Sequence, residues 1–311
     1  MEMSNLLPSF GCIRSYTLIN APIVTAGFSL HLSLLYFPLA FSHGNIVAAF
    51  AIEGLIFCMK NFILLFGIGF LTDSRPDIVR REITDGVSQT EASNVSDWIT
   101  MVSSVLTFTI LEALTFNIAK SLGLIVHSDQ PNFTSGSRLV LSCLLSYGSF
   151  IAVSFVLEVI FDFFHYWSHR FLHEKPALYR SLHSLHHHNS NPTVYHTFND
   201  SVCGTVLTNT IPHLLALSIF MIIFRRPVCH FEHSLLLVYK TFVEVSGHSG
   251  KDLGKASSFP QFKWLPVMLG IELYTCDHHS HHRNSKKNFS KRFVLWDKVF
   301  GTYLKFSKKT L

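Results

Sequence analysis

Histidines are the residues of this chain whose type and spacing could do chemistry. Sixteen of the 19 histidines fall between His165 and His282, and most belong to three short clusters. In the first cluster they stand four residues apart, whereas the other two share the pattern H-x-x-H-H, with imidazoles at i, i+3 and i+4. On a helix each spacing brings the rings onto one face, so three faces can converge on a metal site. The clusters contain His165, His169 and His173; His183, His186 and His187; and His278, His281 and His282.

The number and type of candidate ligands indicate two metal ions. About 0.07 matches to H-x-x-H-H are expected by chance at this histidine content, and two occur. Imidazoles suit zinc, copper, iron or nickel, and a structural zinc site is complete with four ligands, commonly including cysteine. The six cysteines stand apart without a C-x-x-C pair. The excess of histidines therefore predicts two ions that share an all-nitrogen shell.

The choice of metal decides the class of reaction. Two irons can supply the electrons that split dioxygen, whereas two zincs polarise water or a carbonyl. We favour di-iron oxygen chemistry over a zinc-dependent membrane lipid hydrolase, with a non-catalytic metal-binding scaffold as a third alternative. The isolated histidines are interpreted as ordinary core or solvated residues: His31, His43, His127, His213, His230 and His233.

The elements that must position these clusters are membrane helices. The 311 residues are 48% hydrophobic and only 14% charged, with a mean hydropathy of +0.32; a soluble domain carries about a quarter charged residues. The predicted fold is an all-α polytopic membrane bundle of about four spanning helices plus a membrane hairpin, with a cytosolic histidine-rich helical cap. Charged residues inside the spans should face protein or water. The spans are 21–41, 46–70, 99–126 and 139–164, and the hairpin, which enters or lies along the bilayer, is 202–245.

The positive charge is confined to the C-terminus. Residues 283–311 carry a local net charge of +8, which leaves −3 for the rest of a chain whose total is +5. This distribution excludes a nucleic-acid partner. The basic tail and the dilysine signal Lys308-Lys309-Thr310-Leu311 predict an endoplasmic reticulum membrane protein with a cytosolic C-terminus and catalytic face. Of the glycosylation sequons, only Asn132 should face the lumen, whereas Asn94 and Asn288 should be unused.

The order of the motifs resembles the fatty acid hydroxylase or sterol desaturase superfamily. The first cluster carries Arg170 after its second histidine, and the first H-x-x-H-H is followed by Gly-His-Ser-Gly at 247–250. The second H-x-x-H-H precedes Trp-Asp-Lys-Val-Phe-Gly-Thr at 296–302, so the resemblance covers about 158–303. It implies a non-haem di-iron enzyme of the endoplasmic reticulum. Lys251, which follows the Gly-His-Ser-Gly segment, departs from the aromatic residue common there.

The resemblance also implies a ligand set and partners. Two iron ions, with zinc as a possible occupant of a purified site, would be held by the three clusters together with His248. His188, His196 and His279 are extra, while Asp162, Asp277 and Glu158 are candidates to orient imidazoles. The implied function uses O2 and two external electrons to hydroxylate, desaturate or epoxidise a lipid. A sterol or sterol precursor is favoured, with a fatty-acyl or sphingoid lipid as the alternative.

The remaining expectations concern the electron donor and the domains. Cytochrome b5 or a similar donor, with its reductase, would dock on Arg170 and the basic tail. The chain divides into N-terminal transmembrane helices (1–137), a di-metal catalytic region (138–304) and a basic tail (305–311).

Overall fold

The computed structural model describes residues 10–74, 95–126, 137–189, 192–249 and 257–305. These residues are mostly helical. The helices are α1 (Phe10–Phe41), α2 (Ile46–Ser74), α3 (Val95–Ser121), α4 (Ser137–Glu174), α5 (Pro176–Leu178), α6 (Val202–Thr205), α7 (Ile211–Phe224), α8 (His230–Gly247), α9 (Trp264–Met268), α10 (Thr275–Arg283) and α11 (Leu295–Val299). The described residues also contain two π-helical turns, Tyr179–His183 and Val206–Thr210, and three 3-10 turns, His186–His188, Val194–His196 and Pro260–Phe262. There are two short strands among them, β1 (Ile125–Val126) and β2 (Val228–Cys229).

Within the described residues, five helices are long and apolar enough to cross a membrane. They are Tyr16–Phe41, Ile46–Thr72, Asp97–Ser121, Leu145–Glu174 and Val202–Phe224. The predicted all-α polytopic bundle is therefore confirmed. The number of candidate spans is five because the first arm of the predicted hairpin meets the same criteria of length and apolarity.

The second arm of the hairpin lies inside the bundle. α8 packs against α1, α2 and α4, and most of its residues are buried. At Gly27 of α1 an added Cβ would stand 2.4 Å from Leu235 Cδ1 and 3.1 Å from Leu235 Cα, so a larger residue would require the Leu235 side chain to move and the two helices to shift slightly. The sequence left open whether this arm enters or lies along the bilayer; in the structure it packs within the bundle, and the polar residues that shortened its apolar run face protein.

A tight turn joins the first two helices, as the short linker requires. His43 (φ 48°) and Gly44 (φ 79°) adopt left-handed backbone conformations. The side-chain oxygen of Asn45 accepts hydrogen bonds from the backbone N–H groups of Val47 and Ala48 at 2.9 and 3.2 Å. This N-cap satisfies donors that the first turn of α2 would otherwise leave unpaired.

Charges inside the spans are paired within the protein. Lys60 of α2 forms an ion pair with Glu112 of α3, and Lys120 of α3 lies 2.5 Å from Glu53 of α2. Lys60 Nζ also donates to Thr241 Oγ1 of α8 at 3.0 Å. The prediction that these charges face protein rather than lipid is confirmed.

One of the three glycosylation sequons, that of Asn288, lies among the described residues. Asn288 is buried, and its side-chain amide donates to the carbonyl oxygens of Asp277 and Leu304 at 3.1 and 2.9 Å. It therefore offers no free amide to a modifying enzyme. Asn94, Asn132 and the dilysine signal lie outside the described residues.

Candidate metal centre

The first histidine cluster occupies the last three turns of α4. This helix runs for 38 residues, and its final third carries His165, His169 and His173 on one face, as the four-residue spacing predicts. His165 and His169 are almost completely buried. The helix ends at Glu174, where Lys175 precedes a proline that cannot continue its hydrogen bonding.

The second cluster does not present a single helical face. His183 ends a π-helical turn, and His186 and His187 begin a separate 3-10 turn. The three rings nevertheless stay close, with centroids 4.9–5.4 Å apart. A close contact fixes the position of this segment: a Cβ added at Gly204 would stand 2.3 Å from the carbonyl oxygen of Leu182.

The third cluster lies on α10, opposite the C-terminal end of α8. His278, His281 and His282 are all buried on this short helix. His248 is the C-cap residue of α8, and its Nε2 lies 3.1 Å from Nε2 of His278. The Gly-His-Ser-Gly segment thus meets the third cluster, although the two are 30 residues apart in the chain.

The structure gathers eight of the ten candidate ligands into two groups of four. In each group the possible ligand atoms lie within 4.8 Å of one another. The groups are adjacent, because the ring centroids of His187 and His282 are 4.7 Å apart. Group one contains His169, His173, His183 and His187, and group two contains His186, His248, His278 and His282.

The two other candidates border group one. Nε2 of His281 lies 3.1 Å from Nε2 of His169 and 3.2 Å from Nε2 of His187. The ring of His165 lies 5.1 Å from that of His169, between centroids, and is in neither group. The clusters converge as the sequence predicts, but the second and third clusters each divide their imidazoles between the two groups.

Backbone carbonyls orient the imidazoles. A carbonyl oxygen can only accept, so a ring nitrogen bonded to it carries the proton and the other ring nitrogen keeps its lone pair. Five Nδ1 atoms meet carbonyls in this way: His165 with Thr208 (2.7 Å), His169 with Phe289 (2.8 Å), His186 with Asn199 (3.3 Å), His248 with Glu244 (2.8 Å) and His281 with Lys287 (2.7 Å).

This arrangement fits cations among the Nε2 atoms. His169 and His281 both donate through Nδ1, so two lone pairs face each other across 3.1 Å. Two nitrogens bound to one ion at about 2.0–2.1 Å, with an angle near 90–109°, stand about 2.9–3.4 Å apart. Among the described residues, neither ring nitrogen of His183 or His282 has a hydrogen-bond partner. A shared metal ion would satisfy these lone pairs.

Burial favours the neutral form of His186 and His281, and an imidazole that binds a metal must be neutral. Burial, with the neighbouring imidazoles of His183 and His248, lowers the pKa of His186 well below its usual value. Burial likewise lowers the pKa of His281 to about 3. Neutral imidazoles offer lone pairs at physiological pH without first losing a proton.

The expected carboxylates have other roles. Asp162 accepts hydrogen bonds from the backbone N–H groups of Lys291, Arg292 and Phe293 at 2.7–3.0 Å, and so anchors the segment after the third cluster. Glu158 accepts from the Gln261 amide at 3.1 Å. The expectation that Asp162 orients an imidazole is wrong.

Asp277 and the extra histidines have varied surroundings. Asp277 accepts from the backbone N–H of Tyr274 at the start of α10. His188 is exposed, and His196 Nδ1 lies 2.9 Å from Thr193 Oγ1. His279 is buried outside both groups.

Sequence reasoning missed a buried charged cluster beside the histidines. Glu244 Oε2 lies 2.9 Å from Lys291 Nζ, and its Oε1 lies 3.8 Å from His248 Nδ1. Arg292 is buried next to this pair, with Nη2 3.8 Å from Glu244 Oε2. These residues come from α8 and from the segment after α10, so no local spacing pattern links them.

Cavities reach both sides of the histidine groups. One of about 820 Å³ is lined by His248 and His278 of group two, and also by Tyr16 and Ile19 of α1. A second of about 470 Å³ is lined by His165, His169, His183 and His186.

Known proteins share this region of the chain. The sequence model of the fatty acid hydroxylase family, described as "Fatty acid hydroxylase", matches residues 154–302. The fatty acid hydroxylase vlmA of Lecanicillium sp is 31% identical over 195 residues, which cover 54% of this chain and 51% of that protein. No solved structure matches the chain.

Two further relatives carry other names. Sphinganine C4-monooxygenase 1 of Arabidopsis thaliana is 27% identical over 155 residues, covering 48% of this chain and 53% of the relative. Methylsterol monooxygenase erg25A of Aspergillus fumigatus is 33% identical over 164 residues, covering 49% and 46%. The chain thus spans about half the length of the curated relatives it matches. The family match and these relatives confirm the resemblance seen in the motifs: over residues 154–302 the chain is similar to the fatty acid hydroxylase superfamily, and they fix no subfamily within it.

Proposed function

We propose that the chain is a membrane-bound, non-haem di-iron oxidoreductase that uses O2 and two external electrons to hydroxylate, desaturate or epoxidise a lipid. The observation that carries this proposal is the pair of adjacent four-histidine groups with nitrogen donors only. The described cysteines Cys58, Cys203, Cys229 and Cys276 belong to neither group. A donor set without thiolate or carboxylate suits iron in the neutral-imidazole environment described above.

The ligand assignment within this proposal follows the geometry. Group one together with His281 would hold one ion, and group two would hold the other, with His165 beside group one. When bound, the irons supply the electrons that reduce dioxygen to an oxidant able to remove hydrogen from an unactivated carbon. Zinc remains a possible occupant of a purified site.

The chain's own residues position the ligands and exclude water. Carbonyl acceptors of the backbone lock the rings of His169, His248 and His281 in the tautomer that keeps Nε2 free. Burial of these rings removes competing hydrogen bonds from bulk water. The ligand sphere is thereby preorganised and need not rearrange when metal binds.

Lipid substrates are supported by the position of the site. One cavity is lined both by His248 and His278 and by Tyr16 and Ile19, which belong to a candidate membrane span. A molecule dissolved in the bilayer could enter along this route. A sterol or sterol precursor is the first substrate to test, and fatty-acyl or sphingoid lipids are the second, since relatives are named for activities on both kinds of lipid.

The cellular setting is part of the proposal. We place the protein in the endoplasmic reticulum membrane with its histidine groups and C-terminus in the cytosol, where cytochrome b5 or a similar donor and its reductase would deliver electrons. Residues 1–137 would supply the membrane platform, 138–304 the catalytic region and 305–311 the basic tail. The enzyme would serve lipid or sterol biosynthesis.

Matched histidine variants test the proposed activity. Membranes that contain the full chain would be supplied with reductant, donor and ¹⁸O2, and extracted lipids would be compared by mass spectrometry. His186→Ala and His282→Ala should abolish every oxygen-dependent product. His43→Ala should leave the products unchanged, because His43 lies exposed in the turn between α1 and α2.

The contradicting outcome identifies the main alternative. Persistence of oxygen-dependent products in both ligand variants would remove the ligand assignment. Bound zinc together with lipid hydrolysis that needs no oxygen would instead favour the zinc-dependent hydrolase.

A further inference from the structure

One arginine beside the proposed centre is buried without a full set of partners. The side chain of Arg292 is the largest of the fully buried residues, with 1% of its surface exposed. Among the described residues, its Nε and Nη1 atoms have no hydrogen-bond partner, and Nη2 lies 3.8 Å from Glu244 Oε2, beyond hydrogen-bond distance. An arginine has no neutral form in proteins, so its burial is costly unless acceptors meet it.

The nearest carboxylate does not serve this cation alone. Glu244 Oε2 is already engaged by Lys291 Nζ at 2.9 Å. Lys291 has further partners in Asn209 Oδ1, at 2.9 Å, and Asp200. Among the described residues Nε and Nη1 of Arg292 have no such acceptor, which favours a ligand that brings an acceptor oxygen.

Arg292 and two histidines of group two line the same cavity. Arg292 and Lys291 contribute to the cavity of about 820 Å³ that is also lined by His248 and His278. The backbone of Arg292 is held in place, because Asp162 accepts its N–H at 3.0 Å. A lipid in this cavity would therefore meet Arg292 and these two histidines together.

We propose that Arg292 binds an oxygen of the lipid's polar head group and so brings a carbon near that head, rather than one at the far end of the molecule, beside His248 and His278. The inference rests on the proposed function for the reaction itself but concerns only substrate binding and position. The head oxygen is a hydroxyl or a carboxylate, and both accept hydrogen bonds from a guanidinium. Arg292 is in this account a binding residue that determines regiochemistry.

Binding to the unmodified full-length protein in nanodiscs supplies the first test. Displacement of a radiolabelled probe would compare cholesterol with cholest-5-ene, which lacks the 3-hydroxyl, and stearate with octadecane, which lacks the carboxylate. A charged hydrogen bond predicts that at least one oxygen-bearing lipid binds about tenfold or more tightly than its headless partner. The lipid pair that shows the preference identifies the head group as a hydroxyl or a carboxylate. A preference below twofold in both arms would overturn the proposal.

Variants assign the preference to this arginine. Arg292→Met keeps the volume but removes the donors and should abolish the tenfold preference, whereas Arg292→Lys should retain part of it. Arg226→Met is the matched control, because Arg226 is a half-exposed arginine that lies outside the cavity and pairs with Glu232. A preference that survives in Arg292→Met would overturn the proposal. If Arg292→Met fails to give a monodisperse protein, Arg292→Lys and the unmodified protein still decide the question.

The binding measurement separates this inference from the proposed function. It requires neither oxygen nor electrons, so head-group preference without oxygen-dependent products would contradict the di-iron activity alone. Oxygen-dependent products without head-group preference would contradict the role of Arg292 alone.

Discussion

Replacing Asp162 by asparagine should loosen the segment that follows the third histidine cluster. The fully buried carboxylate accepts hydrogen bonds from the N–H groups of Lys291 and Arg292 through Oδ1 and of Phe293 through Oδ2, at 2.7, 3.0 and 3.0 Å. Asparagine keeps one acceptor oxygen but turns an NH2 group toward the third donor. At least one backbone N–H is then left unsatisfied, and the remaining bonds lose their charge.

The expected cost follows from these contacts. A hydrogen bond to a charged group contributes about 1.5–3 kcal/mol, and a buried unsatisfied donor costs about 1–3 kcal/mol. We therefore expect Asp162→Asn to lower the free energy of unfolding by about 3 kcal/mol, or about a hundredfold in the ratio of folded to unfolded protein. Bound metal should fall with it, since Lys291 and Arg292 follow the third cluster closely in the chain.

A second carboxylate of α4 supplies the control. Glu174 pairs with Arg170 at 2.7 Å but is 54% exposed, so Glu174→Gln should cost less than about 1 kcal/mol. Denaturant unfolding of the two purified variants in the same detergent, followed with metal analysis, measures both effects. Equal losses in the two variants, or a loss below 1 kcal/mol in Asp162→Asn, would refute the anchoring role of Asp162.

Three other predictions follow from contacts elsewhere in the fold. Gly204→Ala should displace the second histidine cluster and reduce bound metal at least severalfold, because its Cβ would stand 2.3 Å from a carbonyl oxygen, whereas Gly54→Ala meets no atom within 4 Å and should retain metal. Lys60→Met leaves Glu112 buried without its partner and should lower the free energy of unfolding by about 3–5 kcal/mol, while adding Glu112→Leu should recover most of that loss in a double-mutant cycle. Asn288 should carry no sugar in a gel-shift assay even when the chain is expressed in a secretory membrane, because its amide is buried and bonded; a glycosidase-sensitive shift that disappears in Asn288→Gln would contradict the fold around it.

The candidate site was predictable because histidine spacing is local. The four-residue spacing of His165, His169 and His173 needs only an α-helix to align the rings, and α4 supplies it. Convergence of the three clusters followed from their chemistry, since many imidazoles without thiolates have few other reasons to be buried.

The division of the ligands could not be predicted from spacing. His186 and His187 are neighbours in the chain but belong to different groups, because adjacent side chains of a helical turn point about 100° apart. Which partners each ring then meets depends on how the separate helices pack, which is tertiary. Backbone carbonyls, and not the expected Asp162, orient the rings. Every residue has a carbonyl group, so the sequence cannot indicate which of them will accept a hydrogen bond from an imidazole.

The membrane helices were predictable from the lengths of the apolar stretches in the sequence. Residues 202–224 form one continuous helical segment that is long and apolar enough to span. Pro212 lies directly after the π-helical turn Val206–Thr210, where the regular α-helical hydrogen bonding is already interrupted. The polar residues of α8 made this segment look too polar for the interior of the bundle. Their partners lie on other helices, which the periodicity of the sequence cannot reveal.

Metal content per chain tests the central claim most directly. The purified full-length protein, loaded anaerobically with ferrous iron, should bind two ions per chain, and elemental analysis after desalting gives the number. His282→Ala and His173→Ala remove one ligand from group two and group one respectively, so each should retain about one ion. A single ion in the unmodified chain, or two ions in both variants, would contradict a centre built from two histidine groups.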